Sequence, residues 1–313
     1  MDEVERLARS GRPGEGVALV EQSAGAGDAE SLFILANWRL WGLNGPNDPV
    51  QALKLVERAD EAGWPEAALL RATLTANGTG GPSDPLRARD ILQRRAGADT
   101  SAAEQLRLFD RMESHRIEDV ETLSSDPDIR LVRGFLTREE CDYLIRIATP
   151  RMRASMILDE KTGKPRPHPV RTSSSMNFGP SDENLVVHAI NRRIALLSET
   201  DVRSGEPLHI LHYASGQEFR PHLDAVAGAT NQRQWTALIY LNEAFEGGNT
   251  VFPSIGISTR GNSGDCLPFR VCDDEGRTDQ RLRHAGEPVT NGIKWLASRW
   301  IRQRPYMPEI LSR

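Results

Sequence analysis

Two stretches in the first third of the chain carry the same residues at a constant spacing of 36 positions, for example at Asp48 and Asp84. A repeat of this length is typical of a two-helix unit that buries its apolar side by stacking on the next copy. Each copy contains an Asp-Pro pair, which predicts a helix start because Asp caps a helix and Pro suits its first turn. The repeated residues are Ala36, Gly42, Gly45, Pro46, Asp48, Pro49 and Ala52, then Ala72, Gly78, Gly81, Pro82, Asp84, Pro85 and Ala88.

The region around these copies has one consistent composition. From about Val4 to Gln105 the chain is rich in Ala and Leu at helical spacing, and Gly, Pro and Asn separate the runs. This pattern resembles Sel-one-like repeats, which are relatives of the tetratricopeptide repeat. It predicts an α-helical repeat domain over residues 1–120. The charged stretch from Glu113 to Asp128 predicts a junction, after which residues 121–313 form a second domain.

The second domain is predicted to be rich in strands. Ile129–Phe135 has the composition of a strand, and Thr137 with Glu140 forms a capping box that opens a helix. A second helix is expected from about Glu183 to Leu197. The remaining short β runs, separated by Gly, Pro and Asn turns, suit a double-stranded β-helix, or jelly roll. The predicted fold class is therefore α+β: helical repeats, then a jelly roll with flanking helices.

Three segments of this domain carry more specific predictions. Pro268 lies inside a β run, which predicts an edge strand or a bulge because Pro lacks the N–H that a central strand needs. The segments Asp159–His168 and Ser254–Ser263 are long loops that either form lids or are surface loops without a role.

His222 and Asp224, with His284 further along the chain, form a His-x-Asp…His set. Two imidazoles and one carboxylate on one side of a metal are the ligands of non-haem Fe(II) oxygenases. The remaining positions stay open for an organic cosubstrate and O2, which favours oxidative chemistry over a closed structural zinc site. A bare His-x-Asp is weak evidence, so the interpretation depends on the surrounding sequence.

The residues after His284 supply a candidate anion site. Gly286–Gly292 is rich in turn formers, so the chain should reverse and return as a strand that begins near Ile293. Lys294 is thereby brought towards the metal, and a buried Lys needs an anion such as the distal carboxylate of a 2-oxo diacid. By strand periodicity, Tyr213 and Tyr240 are each able to point into the same lumen, although both also suit a plain aromatic core.

The order of motifs from about Asp128 to Arg304 closely resembles the catalytic domain of the prolyl 4-hydroxylase family of iron and 2-oxoglutarate dioxygenases. The motifs are Tyr213-Ala-Ser-Gly-Gln, Pro221-His222-Leu223-Asp224, Arg233 to Asn242, Gly247 to Pro253, Gly264-Asp265 and His284 to Trp295. The resemblance implies Fe(II), 2-oxoglutarate and O2 as cofactors, with ascorbate as reductant.

The resemblance also implies roles for single residues. It implies that His222, Asp224 and His284 bind the metal, and that Lys294, Tyr213 and Tyr240 contact 2-oxoglutarate. Arg233 and Trp300 are implied at the reaction centre. The substrate groove is implied to include Arg171, Ser173, Glu206 and Arg302. For the arginines, an ordinary surface salt bridge is the alternative explanation.

The sequence therefore predicts a dioxygenase that hydroxylates a peptidyl residue, with proline as the first candidate, and releases succinate and CO2. Two alternatives are a hydroxylase of a free amino acid or other small molecule, and a repeat adaptor with a non-catalytic sensing domain. We further expect that the helical repeats dock a protein substrate, or else only cover the catalytic domain.

Composition restricts the partners and the compartment. The formal net charge of −5 offers no basic field for nucleic acid, which also disfavours a nucleic-acid demethylase. We expect no membrane partner, since no apolar run approaches the ~20 residues of a membrane span. The acidic start lacks the plan of a signal peptide, and the odd number of cysteines, 3, shows no disulfide spacing. The expected location is the cytoplasm.

Overall fold

The computed structural model describes Arg6 and residues 10–158, 165–167 and 170–306. The chain divides into two compact units. The helical unit comprises the described residues up to Ser114 together with Gly179–Ala189, a segment that sequence patterns did not assign to it. The sheet unit comprises His115–Phe178 and Ile190–Tyr306. The assignment of residues 1–120 and 121–313 to separate functional domains stays a prediction.

Consecutive helices make up the first part of the helical unit. They are α1 Pro13–Gly25, α2 Ala29–Trp41, α3 Pro49–Glu61, α4 Ala67–Asn77, α5 Pro85–Gln93 and α6 Thr100–Ser114. The two helix starts predicted from the Asp-Pro pairs are confirmed. The Asp48 carboxylate accepts a hydrogen bond from the Gln51 N–H, and the Asp84 carboxylate accepts one from the Arg87 N–H, both at 2.9 Å.

The repeat extends to the backbone of the connecting turns. Gly42 and Gly78 end α2 and α4 in the left-handed conformation, with φ of 65° and 78°. This conformation suits Gly, which has no Cβ to clash. Small side chains such as Ala52 and Ala67 are completely buried between the helices, which allows the close helix packing that the composition predicts.

The sheet unit is built from antiparallel strands. They are β1 Val120–Ser125, β2 Asp128–Val132, β3 Arg153–Ala154, β4 Met156–Leu158, β5 Pro165–Pro167, β6 Ser174–Asn177, β7 His209–Tyr213, β8 Phe219–His222, β9 Arg233–Tyr240, β10 Phe245–Gly247, β11 Thr250–Phe252, β12 Ile257–Thr259, β13 Cys266–Arg270, β14 His284–Gly286, β15 Val289–Gly292 and β16 Lys294–Arg302. Eight of them form a large sheet in the order β1-β2-β13-β9-β16-β7-β6-β3, and four form a small sheet in the order β12-β11-β14-β8. β10 pairs with β15, and β4 pairs with β5.

The large and small sheets share one hydrophobic core. Phe269 of the large sheet and Phe252 of the small sheet are fully buried and meet edge to face, with ring centroids 5.2 Å apart. Tyr240, Leu211 and Leu296 belong to the same cluster. The predicted α+β class, with helical repeats followed by an antiparallel oxygenase-type unit, is confirmed.

Both helices predicted after residue 128 are present in the described part of the chain. Helix α7, Arg138–Ala148, begins at Thr137, whose hydroxyl accepts from the Glu140 N–H while the Glu140 carboxylate accepts from the Thr137 N–H. This is the predicted capping box. Helix α8 spans Leu185–Leu197, within the predicted range. Among the residues that the structure describes, every helix is too short or too polar to span a lipid bilayer.

Four local predictions need correction or restriction. The predicted junction contains β1, which pairs with β2. Pro268 does not lie on an edge strand, because β13 is flanked by both β2 and β9. The N–H of Val271 donates to the Gln234 carbonyl on the β9 side, so the nitrogen of Pro268, three residues earlier, faces the opposite side, towards β2. Few residues of β13 and β2 are paired, so the missing N–H of Pro268 is tolerated there. Ser254–Ser263 is not simply a loop, because it contains strand β12. Asp159–Lys164 and His168 of the other predicted lid lie outside the described residues.

Candidate active site

Three potential metal ligands meet on the small sheet. His222 ends β8, Asp224 follows two residues later, and His284 begins β14 directly opposite His222 in the antiparallel register. One potential ligand atom from each residue lies within 4.8 Å of the other two. The Asp224 carboxylate oxygens lie 3.6 Å and 3.7 Å from Nε2 of His222 and of His284. Residues 62 positions apart in sequence thus form one compact donor set.

Hydrogen bonds on the far side of each imidazole prepare it for metal binding. Nδ1 of His222 donates to the Arg220 carbonyl at 2.8 Å, and Nδ1 of His284 donates to the Leu282 carbonyl at 3.0 Å. A carbonyl only accepts, so each Nδ1 carries a proton, and Nε2 is the ring nitrogen that faces the other ligands. Metal-binding histidines characteristically have such a carbonyl partner.

The Asp224 carboxylate is buried but stays ionised. Burial alone would raise the pKa of Asp224, yet the imidazoles of His284 and His222 and the Thr236 hydroxyl together lower it below its usual value. The hydroxyl of Thr236 donates to Oδ2 at 2.6 Å, which leaves Oδ1 as the freer oxygen for a metal. Two imidazoles and one carboxylate with an open side fit a mononuclear Fe(II) centre.

The donor set lines a cavity with about 490 Å³ of empty space, a volume that includes its opening to solvent. Apolar side chains form much of its wall, with a few polar groups between them. The lining residues are Leu211, Tyr213, Phe219, His222, Asp224, Leu238, Thr250, His284, Gly286, Glu287, Lys294, Leu296, Ser298 and Trp300. The alternate residues of β16 from Lys294 to Trp300 line it together, as strand periodicity predicts.

Lys294 places a buried cation in the cavity wall. Its side chain is only 3% exposed, and Nζ donates to the Gly248 carbonyl at 2.7 Å. Burial lowers the pKa of Lys294 to about 8, because the ammonium is removed from water. A carboxylate ligand would favour the charged form and raise that pKa again. Lys294 is therefore the cavity residue best suited to hold the distal carboxylate of 2-oxoglutarate.

This pKa predicts how binding of 2-oxoglutarate depends on pH. We expect the charged form of Lys294 to bind the carboxylate. This form predominates below about pH 8, so the affinity should be constant there. Above that pH the affinity should fall by about tenfold per unit, because Lys294 must then take up a proton from water when the carboxylate binds. Titrations of 2-oxoglutarate across this range measure the effect. Lys294→Met, which cannot titrate, should lack the decline, and an equal decline in this variant would assign it to another group.

The two tyrosines occupy different places. Tyr213 lines the cavity opposite Lys294 in the register of β7 and β16, and burial raises its pKa to about 12, so its hydroxyl stays protonated. Tyr240 is fully buried and lies outside the cavity lining. Its hydroxyl lies 2.9 Å from the hydroxyl of Thr250, which does line the cavity. A direct contact of Tyr240 with 2-oxoglutarate stays a prediction.

Glu206 binds one arginine predicted at the reaction centre and one predicted for the substrate groove. Arg233 donates to both carboxylate oxygens of Glu206 at 2.7 Å and 2.8 Å, and Arg302 lies 2.6 Å from the same carboxylate. Arg233 also donates to the Asp224 carbonyl at 3.2 Å, and its guanidinium lies 3.9 Å from the ring centroid of Trp300. Of this group, Trp300 reaches the cavity, whereas Arg233 holds Trp300 and the backbone of Asp224 in place.

Arg171 and Ser173 lie outside the cavity lining. The Arg171 guanidinium lies 5.8 Å from the ring centroid of Phe219, and burial lowers its pKa. Ser173 is buried, and its hydroxyl lies 3.2 Å from that of Ser155. Their predicted part in substrate binding stays a prediction.

Sequence reasoning missed several contributors to the site. Thr236 fixes Asp224, Thr250 lines the cavity, and Phe219 stacks on His222. Thr236 and Tyr240 lie four residues apart on β9 and so share one face of the strand, a pattern from which Thr236 could have been predicted. His209, whose ring lies beside that of Trp300, was also missed. Burial, together with the smaller effect of the nearby Arg171 and Arg233 charges, lowers the pKa of His209 to about 3, so its ring is neutral.

The fold and the donor set define an Fe(II) oxygenase of the 2-oxoglutarate-dependent class, and comparison with known proteins agrees. The sequence profile of the 2OG-Fe(II) oxygenase superfamily matches residues 208–302. Prolyl 4-hydroxylase 1 of Arabidopsis thaliana is 36% identical over 203 residues, which cover 59% of this chain and 72% of the relative. Probable prolyl 4-hydroxylase 3 of the same plant is 32% identical over 240 residues, which cover 66% and 83% of the two chains.

A solved structure is also similar to this chain. The viral collagen prolyl hydroxylase from Paramecium Bursaria Chlorella virus-1, in a 2OG complex, is 27% identical with a TM-score of 0.46 and covers 56% of this chain and 95% of its own. The plant relatives exceed 30% identity over most of their length. The chain therefore belongs to the prolyl 4-hydroxylase family of iron- and 2-oxoglutarate-dependent dioxygenases.

Proposed function

We propose that the protein hydroxylates prolyl residues of a peptide or protein substrate, and consumes 2-oxoglutarate and O2 with release of succinate and CO2. The observation that carries this proposal is the joint placement of the His222, Asp224 and His284 donor set and the Lys294 ammonium in one cavity. The names of the plant and viral relatives support proline as the target residue.

The side chains of the cavity have separable tasks in this reaction. When bound, Fe(II) and 2-oxoglutarate supply the activation of O2 that oxidises an unreactive C–H bond. The donor set holds the metal, and the Lys294 ammonium fixes one end of the cosubstrate. Leu211, Leu238 and Leu296 form an apolar wall that excludes water, which protects the reaction from side reactions.

The residues around Glu206 are suited to position the substrate. Trp300 presents a flat apolar ring at the cavity, and Arg233 stacks on that ring while it is held by Glu206. Aromatic rings are the surfaces against which proline-containing chains commonly dock. We infer that Trp300 contacts the peptide next to the target residue, and that Arg233, Glu206 and Arg302 keep its ring in place.

Product analysis tests the function. The protein is incubated with Fe(II), 2-oxoglutarate, O2 and a proline-containing peptide library, and mass spectrometry locates any added oxygen. Hydroxyproline formed in a fixed ratio to succinate supports the proposal, and His222→Ala is the matched inactive control. Oxygen found on free amino acids or other small molecules would replace the peptide substrate with the alternative class. Binding of the library without any 2-oxoglutarate turnover would indicate the adaptor instead.

We propose further that the helical unit docks the protein substrate. Val50 and Leu86 occupy equivalent positions in the two repeats, and their side chains are 53% and 68% exposed. Regularly spaced apolar side chains on a stacked repeat are suited to bind an extended chain and raise its effective concentration.

Substitution of this surface is a better test than truncation. Gly179–Ala189 belongs to the helical unit, and a truncated protein would lose the surroundings of the fully buried Leu185 and Val186. We expect Val50→Asp with Leu86→Asp to raise KM for a protein substrate about tenfold, while KM for a short peptide stays unchanged. Leu196→Asp, at a position that is 77% exposed, is the matched control. An unchanged KM for the protein substrate would remove the docking proposal.

Three finer assignments complete the proposal. The two antiparallel sheets around one core support a jelly-roll arrangement of the sheet unit. The family resemblance supports ascorbate as reductant for the iron. Cys141, Cys266 and Cys272 are buried free thiols, which supports the reducing cytoplasm as the location.

A further inference from the structure

The two histidines of the donor set differ in how their rings are held. His284 is 3% exposed and contacts two core rings, with centroids 5.4 Å from Phe252 and 4.9 Å from Phe269. His222 lies instead on β8, the edge strand of the small sheet. Its ring stacks nearly parallel on Phe219, with centroids 3.5 Å apart and an interplanar angle of 16°. The hydrogen bond from Nδ1 fixes the tautomer of His222, whereas Phe219 restricts its tilt.

Phe219 is also tied to a residue of the predicted substrate groove. Arg171 lies directly opposite Phe219 in an antiparallel bridge, and its guanidinium lies 5.8 Å from the Phe219 ring. Flanking hydrogen bonds fix this register, from the Arg220 N–H to the Val170 carbonyl at 3.0 Å and from the Thr172 N–H to the Glu218 carbonyl at 3.2 Å. The backbone of Arg171 and that of Phe219, on whose ring His222 stacks, are therefore held in one register.

We propose that Phe219 is a positioning residue that sets the orientation of the His222 imidazole and couples it to Arg171, so that a change at Arg171 alters the metal site. The metal site itself rests on the proposed function. The positioning of His222 rests only on the stacked pair and its edge strand. Outer-shell partners of metal ligands typically change metal affinity by about 10–100-fold when they are removed, and Phe219 should act in this range.

Binding of Co²⁺ alone tests the positioning role without any turnover. Phe219→Leu removes the stacked ring but keeps an apolar side chain, and should weaken Co²⁺ binding by about 10–100-fold and shift the visible absorption band of the bound ion. Phe219→Tyr keeps the ring and should bind like the wild type. Phe33→Leu, which changes a partly buried ring in the helical unit, is the matched control. Unchanged affinity and spectrum in Phe219→Leu would overturn the proposal.

A double-mutant cycle tests the coupling. Arg171→Gln should shift the Co²⁺ band in the wild-type background and have no further effect in the Phe219→Leu background. Additive effects would show that Arg171 and Phe219 act separately, and the coupling would be refuted. If Phe219→Leu does not fold, Arg171→Gln alone decides, since an unchanged band in that variant also refutes the coupling.

The same measurements separate this inference from the proposed function. Wild-type protein that binds no Co²⁺, or that binds it equally well after His222→Ala, would refute the metal site and with it both proposals. Normal binding that depends on His222 but not on Phe219 would refute the positioning role alone.

Discussion

Alanine at His222, Asp224 or His284 should abolish the conversion of 2-oxoglutarate to succinate. Each substitution removes one of the three protein groups that the structure brings within 4.8 Å of one another. Outer-shell partners alone typically contribute about 10–100-fold to metal affinity, so loss of a direct ligand should cost more than about 100-fold. Succinate formation at saturating Fe(II), together with a direct metal titration, measures both effects.

The control for this prediction is another histidine of the sheet unit. His212 lies on β7, on the face opposite the lumen-facing Leu211 and Tyr213, and packs edge-on against Trp295 at 4.7 Å. His212→Ala should retain turnover, and all four variants should unfold cooperatively, which separates loss of the metal from loss of the fold. Full turnover in any of the three ligand variants would remove that residue from the donor set.

Local sequence patterns predicted much of this structure because their causes are local. The helix starts at Asp48 and Asp84 depend on a side chain and a backbone N–H three residues away. The shared face of Lys294 to Trp300 depends only on the period of a strand. The donor set could be found because an open metal site needs particular residue types, and the family motifs fixed which His belongs to it.

The remaining features depend on contacts between distant segments, which no local pattern encodes. Pro268 is tolerated in a strand with neighbours on both sides because its nitrogen, which carries no hydrogen, faces β2, and β13 pairs with β2 at few residues. The period of a strand would place the Phe219 ring and the His222 ring, three residues apart on β8, on opposite faces, yet the two rings stack. The register of β8 against β14 shifts at this point, and no local pattern encodes that shift. Thr250 lines the cavity because β11 pairs with β14, the strand that carries His284.

Substitution of Lys294 should separate cosubstrate binding from metal binding. Removing a buried cation that pairs with a carboxylate typically costs about 2–5 kcal/mol, which corresponds to a loss of affinity of tens- to thousands-fold. We therefore expect Lys294→Ala to raise the apparent 2-oxoglutarate requirement by this range while Fe(II) affinity stays near normal. Lys294→Met keeps an unbranched stem in the cavity wall, so a similar effect in both variants would assign the loss to the charge rather than to packing.

Lys294→Arg shows whether charge alone is sufficient. The stem of Lys294 is closely surrounded, since even a single added carbon on Gly248 would lie 3.3 Å from its Cδ. The Arg guanidinium is larger and planar, and it requires a different arrangement of acceptors from an ammonium that donates to the Gly248 carbonyl at 2.7 Å. We therefore expect Lys294→Arg to recover little of the affinity for 2-oxoglutarate despite its positive charge. Full recovery would show that the site recognises charge without shape, whereas normal 2-oxoglutarate dependence in Lys294→Ala would place the carboxylate at another residue.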